Sequence, residues 1–188
     1  MNSRKNAIIA GTLILVAYSM LGSGNPDQKL MGMVLEAISG AAVIGISLIM
    51  YPLFKPHNDQ ISKGYLVFRV IEGLLMVITG ALFLSNSAQL LEIRDLIWQA
   101  HSFVFIAGAF TFNYLLYISR IIPKWLSGYG IIATILLTIG NILEMTHLTG
   151  PMMILYLPII SNEVILAGWL IVKGFSLEQT SVKSSIEE

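Results

Sequence analysis

Six apolar runs limit what this 188-residue chain can become. They fall at about 7–21, 30–54, 65–84, 96–118, 128–145 and 150–172. A helix needs roughly 20 mostly apolar residues to cross the hydrocarbon of a bilayer, and each run comes close to that length. In lipid, every backbone polar group must be satisfied internally, which leaves helices and closed barrels. Continuous runs without period-two alternation read as helices. The composition agrees, with 55% hydrophobic and 12% charged residues and a mean hydropathy of +0.77, where a soluble domain carries about 25% charged residues. The chain therefore reads as an all-α integral membrane protein, a six-transmembrane-helix bundle forming one domain over residues 1–175, with a polar tail at 176–188.

The formal net charge is zero, so long-range electrostatics give no case for a nucleic-acid partner. There is no cysteine, which removes disulfides, thiolate metal sites and cysteine nucleophiles. Three histidines without cysteine make a structural zinc site unexpected. No cofactor is expected. His147 falls beyond its span and cannot pair with His101 at matching depth, as bis-histidine haem would require. His57 and His147 read as loop residues.

The connections carry the orientation signal. Ala7 to Leu21, after Arg4 and Lys5 and before Gly22, Ser23 and Gly24, has the outline of a signal peptide but is read as the first span. Ser85 to Trp98 mixes Leu90, Leu91 and Ile93 with Glu92, Arg94 and Asp95, which predicts a short interfacial helix before the fourth span. Pro123, Lys124 and Trp125 form a basic and aromatic anchor. One side of the bundle collects Arg4, Lys5, Lys55, Lys63, Arg120, Lys124, Lys173 and Lys183, and the other only Lys29 and Arg94. Positive residues mark the cytoplasmic side, so both termini are expected in the cytoplasm.

Within the spans stand ionisable residues whose burial in lipid costs about 2.5–3.5 kcal/mol each on insertion scales. Arg69 and Glu72, three apart, share a helix face and can partly neutralise each other. At 1.5 Å per residue, Arg69, Glu72, Asn113, Asn162 and Glu163 fall in an inner polar layer, and Glu36, His101, Asn141 and Glu144 in an outer one. In the second span Gly32, Glu36, Gly40 and Ser47 form one stripe, with Ala37, Ala41 and Gly45 beside it, the small-residue pattern of close helix contact. In the fifth, Thr134, Thr138, Asn141 and Glu144 form a polar stripe on a helical period. In the sixth, Tyr156 precedes Glu163 by one repeat, and Pro158 between them removes a backbone hydrogen bond and favours a kink. The depths do not mirror between halves, so no inverted repeat is read.

These residues admit several readings. Arg69 and Glu72 serve an ion or proton pathway or a site for a zwitterionic or anionic ligand, or form an ion-pair network with Glu163 that joins spans three and six. Glu36, His101, Asn141 and Glu144 line an outer pocket with a titratable imidazole or a divalent-cation site, or Glu144 is simply wet and His101 bonds within the bundle. Ser102 beside His101 points about 100° away on a helix, which argues against a serine–histidine pair.

Several strings together resemble a bacterial integral-membrane family, the domain of unknown function numbered 4386. They are Gly64-Tyr65 with Phe68-Arg69-Val70-Ile71-Glu72, His101 with the Phe-rich run after it, and Tyr114-Leu115-Leu116-Tyr117 followed by Ile122-Pro123-Lys124-Trp125-Leu126. Leu157-Pro158 with Asn162-Glu163, and Leu170-Ile171-Val172-Lys173-Gly174-Phe175, complete the pattern. The resemblance covers about Glu36 to Phe175. It implies a multi-pass bundle in a bacterial cytoplasmic membrane in which Arg69, Glu72, His101 and Glu163 recur, and it implies no reaction or substrate. The expected function is binding or conduction of a small ligand, ion or proton through the polar core. The alternatives are an intramembrane enzyme on a lipid or lipid-linked substrate, and a structural or sensory subunit. Expected partners are the lipid bilayer, a small ligand, ion or lipid, and a second copy or another membrane subunit.

Overall fold

The computed structural model describes residues 3–146 and 153–176. Its helices are α1 (Ser3–Ala17), α2 (Lys29–Phe54), α3 (Asp59–Phe83), α4 (Ala88–Ser119), α5 (Lys124–Met145) and α6 (Met153–Val172), with short 3-10 segments at Tyr18–Gly22 and Pro26–Gln28. Six helices are long and apolar enough to cross a membrane, and there is no strand among the described residues. Large side chains such as Leu30, Leu48, Val67, Leu74, Ile132, Ile154 and Val172 stand more than half exposed on the outside of the bundle. Apolar surface on that scale belongs against lipid rather than water. The chain is a multispan membrane protein.

Each helix packs on its neighbours in chain order, and α6 returns to pack on α1, closing a ring. Short connections make successive helices antiparallel, and the start of α1 and the end of α6 meet at one end of the bundle. There Arg4 donates to the carbonyls of Ile171 and Val172 at 2.9 Å, satisfying orphan acceptors at the end of α6. The Ser176 N–H donates to Ile121 O at 2.9 Å, tying the segment after α6 to the α4–α5 connection. At the far end, Lys29 at the start of α2 donates to Ser85 O at 2.8 Å and ties down the segment that follows α3.

The interfacial helix expected over Ser85–Trp98 is not a separate element. Ala88 to Ser119 is one continuous helix of 32 residues, about 48 Å long, so its first turns stand beyond a hydrocarbon layer of about 30 Å. Glu92, Arg94 and Asp95 break the hydropathy run without breaking the helix. The first span ends early as α-helix and tightens to 3-10 from Tyr18. Ser39 of α2 donates to Ala17 O at that transition, and Ser19 to Leu35 O at 3.2 Å. The fifth span begins four residues before its expected start, at Lys124. α6 runs unbroken through Pro158. His147, and the tail from residue 177 on, lie outside the described residues.

The small-residue stripe of α2 meets α3. A Cβ built on Gly40 would lie 2.5 Å from Gly73 O, and one on Gly73 2.6 Å from Gly40 O. The two backbones touch there, which only glycine on both sides permits. In the half of the ring nearest the termini, buried apolar residues fill the interior. Phe54 sits edge-on to Tyr65 and to Phe112, with centroids 5.5 and 5.9 Å apart, and Tyr65 stacks on Phe112 at 5.4 Å. Leu115, Leu116, Leu126, Leu166 and Leu170, all at 0–1% exposure, pack around them. This plug seals the ring at that end.

Candidate functional site

Beyond the plug the ring opens around a cavity of about 290 Å³ that all six helices line, close to the lower end (about 300 Å³) of small-molecule pockets. Its walls are mostly apolar, and its polar groups are few and named: Tyr18, Ser39, Arg69, Glu72, His101, Ser102, Asn141, Tyr156 and Glu163. It extends from Arg69 and Phe112 toward the far end, where Leu21, Trp98 and Tyr156 also line it.

Arg69 and Glu72 form its floor. One guanidinium nitrogen of Arg69 donates to both Glu72 oxygens, at 3.0 and 2.8 Å. The same guanidinium lies 5.6 and 5.8 Å from the rings of Phe105 and Phe112, within cation–π range. The pair stays within α3, because i,i+3 spacing places both heads on one face. It does not join α3 to α6: among the described residues no ion pair connects Arg69 to Glu163 within 4.0 Å.

Glu163 is instead held by Tyr18, whose O–H donates to its carboxylate at 2.7 Å. That bond joins the end of α1 to the middle of α6. His101 is 6% exposed and stacks on Trp98, with centroids 5.0 Å apart. Its Nε2 is buried without a hydrogen-bond partner. Ser102 donates to Trp98 O at 3.4 Å rather than to His101, so the nucleophile–base pair of a hydrolase is not formed.

The sequence-predicted residues divide by location. Arg69, Glu72, His101, Asn141 and Glu163 line the one cavity. Glu36 lies apart from it, fully buried. One Glu36 oxygen accepts from Arg94 at 2.7 Å and from Ser23 at 3.2 Å, and the other accepts from Thr79 at 2.7 Å. Arg94 also donates to Thr79 O at 3.2 Å and lies 4.5 Å from the Phe83 ring. This cluster clasps Ser23, just after the first 3-10 segment, to α2, α3 and α4 at the far end. Glu144 is exposed and accepts from Tyr156 at 2.7 Å, so Tyr156 serves the rim rather than Glu163. His57 is exposed in the α2–α3 turn.

Asn113 and Asn162 sit among α4, α5 and α6, at 2% and 1% exposure. Their amide N–H groups donate to Ala109 O at 3.0 Å and to Leu126 O at 2.9 Å. Their two side-chain oxygens have no partner and both lie against Gly130, where a Cβ would collide with Asn113 and sit 2.7 Å from Asn162.

Two contributors were not visible in sequence. Tyr18 reads as an aromatic at a span end, and Arg94 as a charge on an interfacial helix. Only their partners, Glu163 at 145 positions away and Glu36 at 58, give them roles.

No curated protein and no solved structure matches the chain. A family model does match, over residues 7–174, which takes in all six helices and every residue of the cavity. The chain thus belongs to the family described as Domain of unknown function (DUF4386).

Proposed function

We propose that this membrane protein is a non-enzymatic binding protein whose central cavity holds a small, mostly apolar molecule, in a bacterial cytoplasmic membrane with both termini in the cytoplasm. The observation that carries the reading is a cavity, lined by all six helices, into which a mostly apolar ring turns Arg69, Glu72, His101 and Glu163. Ionisable residues at membrane depth are costly and mark function by default. Pockets of this kind, apolar with a few convergent polar groups, are the usual form of a ligand site.

Binding is favoured over conduction by the Phe54–Tyr65–Phe112 plug beneath Arg69, because a conducting path needs polar groups along its whole length. Glu163 and His101 act as the recognition groups, with Asn141 nearer the mouth and Glu144 at the rim. Arg69 and Glu72 set the floor. Glu36, Asn113 and Asn162 hold the ring in shape around the site. The orientation rests on the excess of Lys and Arg at the termini end.

The test is a density map of the protein purified in nanodiscs with its native lipid. The reading predicts non-protein density inside the ring within contact of Glu163 or His101. A cavity filled only by side chains, or density confined to the lipid-facing surface, overturns it.

A further inference from the structure

The charges in the cavity do not balance, and the imbalance specifies a ligand class. Three charged side chains line it: Arg69, Glu72 and Glu163. Arg69 is bound to both oxygens of Glu72 and lies against the rings of Phe105 and Phe112, so its charge is neutralised locally. Glu163 has only the Tyr18 O–H and no cation within 4.0 Å among the described residues. With Glu163 ionised, the Arg69, Glu72 and Glu163 side chains sum to one negative charge in a largely apolar enclosure. An unpaired carboxylate in such a place is costly; a proton relieves that cost, and so does a cationic partner, which also engages the aromatic wall.

Resting on the reading of the cavity as a binding site, we infer that its ligand is a small organic monocation, an amine or quaternary ammonium carrying apolar substituents. Three observations fit this class together. Glu163 supplies the counter-charge. Tyr18, Trp98, Phe105 and Tyr156 line the same space, and aromatic faces attract alkylammonium groups. Most of the remaining wall is aliphatic and matches hydrocarbon substituents. A bare divalent ion is disfavoured, because calcium and magnesium need about six oxygen ligands, which this wall does not offer. The unpartnered Nε2 of buried His101 gives an ammonium N–H, where the ligand has one, a place to donate.

The test uses three probes of similar shape on the purified full chain in nanodiscs, with empty nanodiscs as the blank. Benzyltrimethylammonium is the cation, neopentylbenzene its uncharged isostere and phenylacetate the anion. Binding is read by calorimetry and by the shift of the thermal midpoint. The inference predicts that the cation binds at least about tenfold more tightly than the other two. It also predicts that Glu163→Gln removes that preference, while Tyr18→Phe, which leaves the carboxylate in place, keeps it. Equal binding of cation and isostere, or preference for the anion, overturns the cation class and leaves the pocket standing. Binding of none of the three overturns both. The wild-type comparison decides the question even where Glu163→Gln fails to fold.

Discussion

Gly40→Ala tests the α2–α3 contact on which the ring is built. A methyl at Gly40 would stand 2.5 Å from Gly73 O, where ordinary van der Waals contact begins near 3.4 Å. The obstacle is backbone, not a side chain that can swing away, so the two helices must separate by about 0.9 Å. Overpacking of that kind costs about 1–3 kcal/mol. For a chain of this size each 1 kcal/mol moves the midpoint by about 2–4 °C, so a fall of roughly 4–8 °C is expected at the middle of the range. The contact is reciprocal, since Gly73→Ala meets Gly40 O at 2.6 Å. The double variant asks for the same separation once, not twice, and its loss should fall short of the sum by about 1 kcal/mol. Gly168 has nothing within 4 Å of its Cβ position, and Gly168→Ala should be neutral or slightly stabilising. The assay is thermal unfolding in a fixed detergent, followed by helical circular dichroism. A Gly40→Ala midpoint equal to that of Gly168→Ala, or strict additivity with Gly73→Ala, refutes the reasoning.

Other substitutions test the remaining supports by the same assay. Arg94→Leu leaves the Glu36 carboxylate buried without its cation and should cost about 3–5 kcal/mol. Glu36→Leu should cost less because partly exposed Arg94 keeps Asp95 at 3.5 Å, and the double replacement by methionine should recover most of the larger loss. Gly130→Ala drives a methyl into Asn113 and to 2.7 Å from the Asn162 oxygen and should cost about 1–3 kcal/mol, with Asn113→Ala in the same chain relieving only the part due to Asn113. Arg120 ends α4 at φ 55, in the left-handed region, and Arg120→Gly should stabilise by about 1 kcal/mol.

Much of the architecture was legible because lipid imposes it. A run such as Leu30–Phe54 has one stable form in hydrocarbon, and its length counts the crossing. The small residues of α2 likewise announced a close neighbour, although not that Gly73 would be it. Position along a span, however, gives depth and not direction. Glu36 and His101 were assigned to one layer by depth, yet Glu36 turns toward Arg94 and Thr79 while His101 turns into the cavity. The azimuth is fixed by which helices become neighbours, and ring closure between α1 and α6 leaves no local trace. Arg94 shows the same limit from the other side. Its charge argued for water at the end of a span, but a carboxylate from α2 meets it inside the bundle, so the helix continues through it. Tyr18 had no chemical signature at all until α6 brought Glu163 beside it.

The central claim is a pocket that extends from the aromatic plug toward the end opposite the start of α1, with its proposed opening at that far end. The chain has no cysteine, so single-cysteine variants report without background. The most direct measurement is the reaction of Ser102→Cys, in the cavity wall, and Leu116→Cys, in the plug, with a membrane-impermeant trimethylammonium-ethyl thiosulfonate applied to either face of the membrane. The account predicts that Ser102→Cys reacts only from the face opposite the termini and that Leu116→Cys reacts from neither. Rapid modification of Leu116→Cys, or reaction of Ser102→Cys from both faces, would mean a continuous water path through the ring and would contradict it.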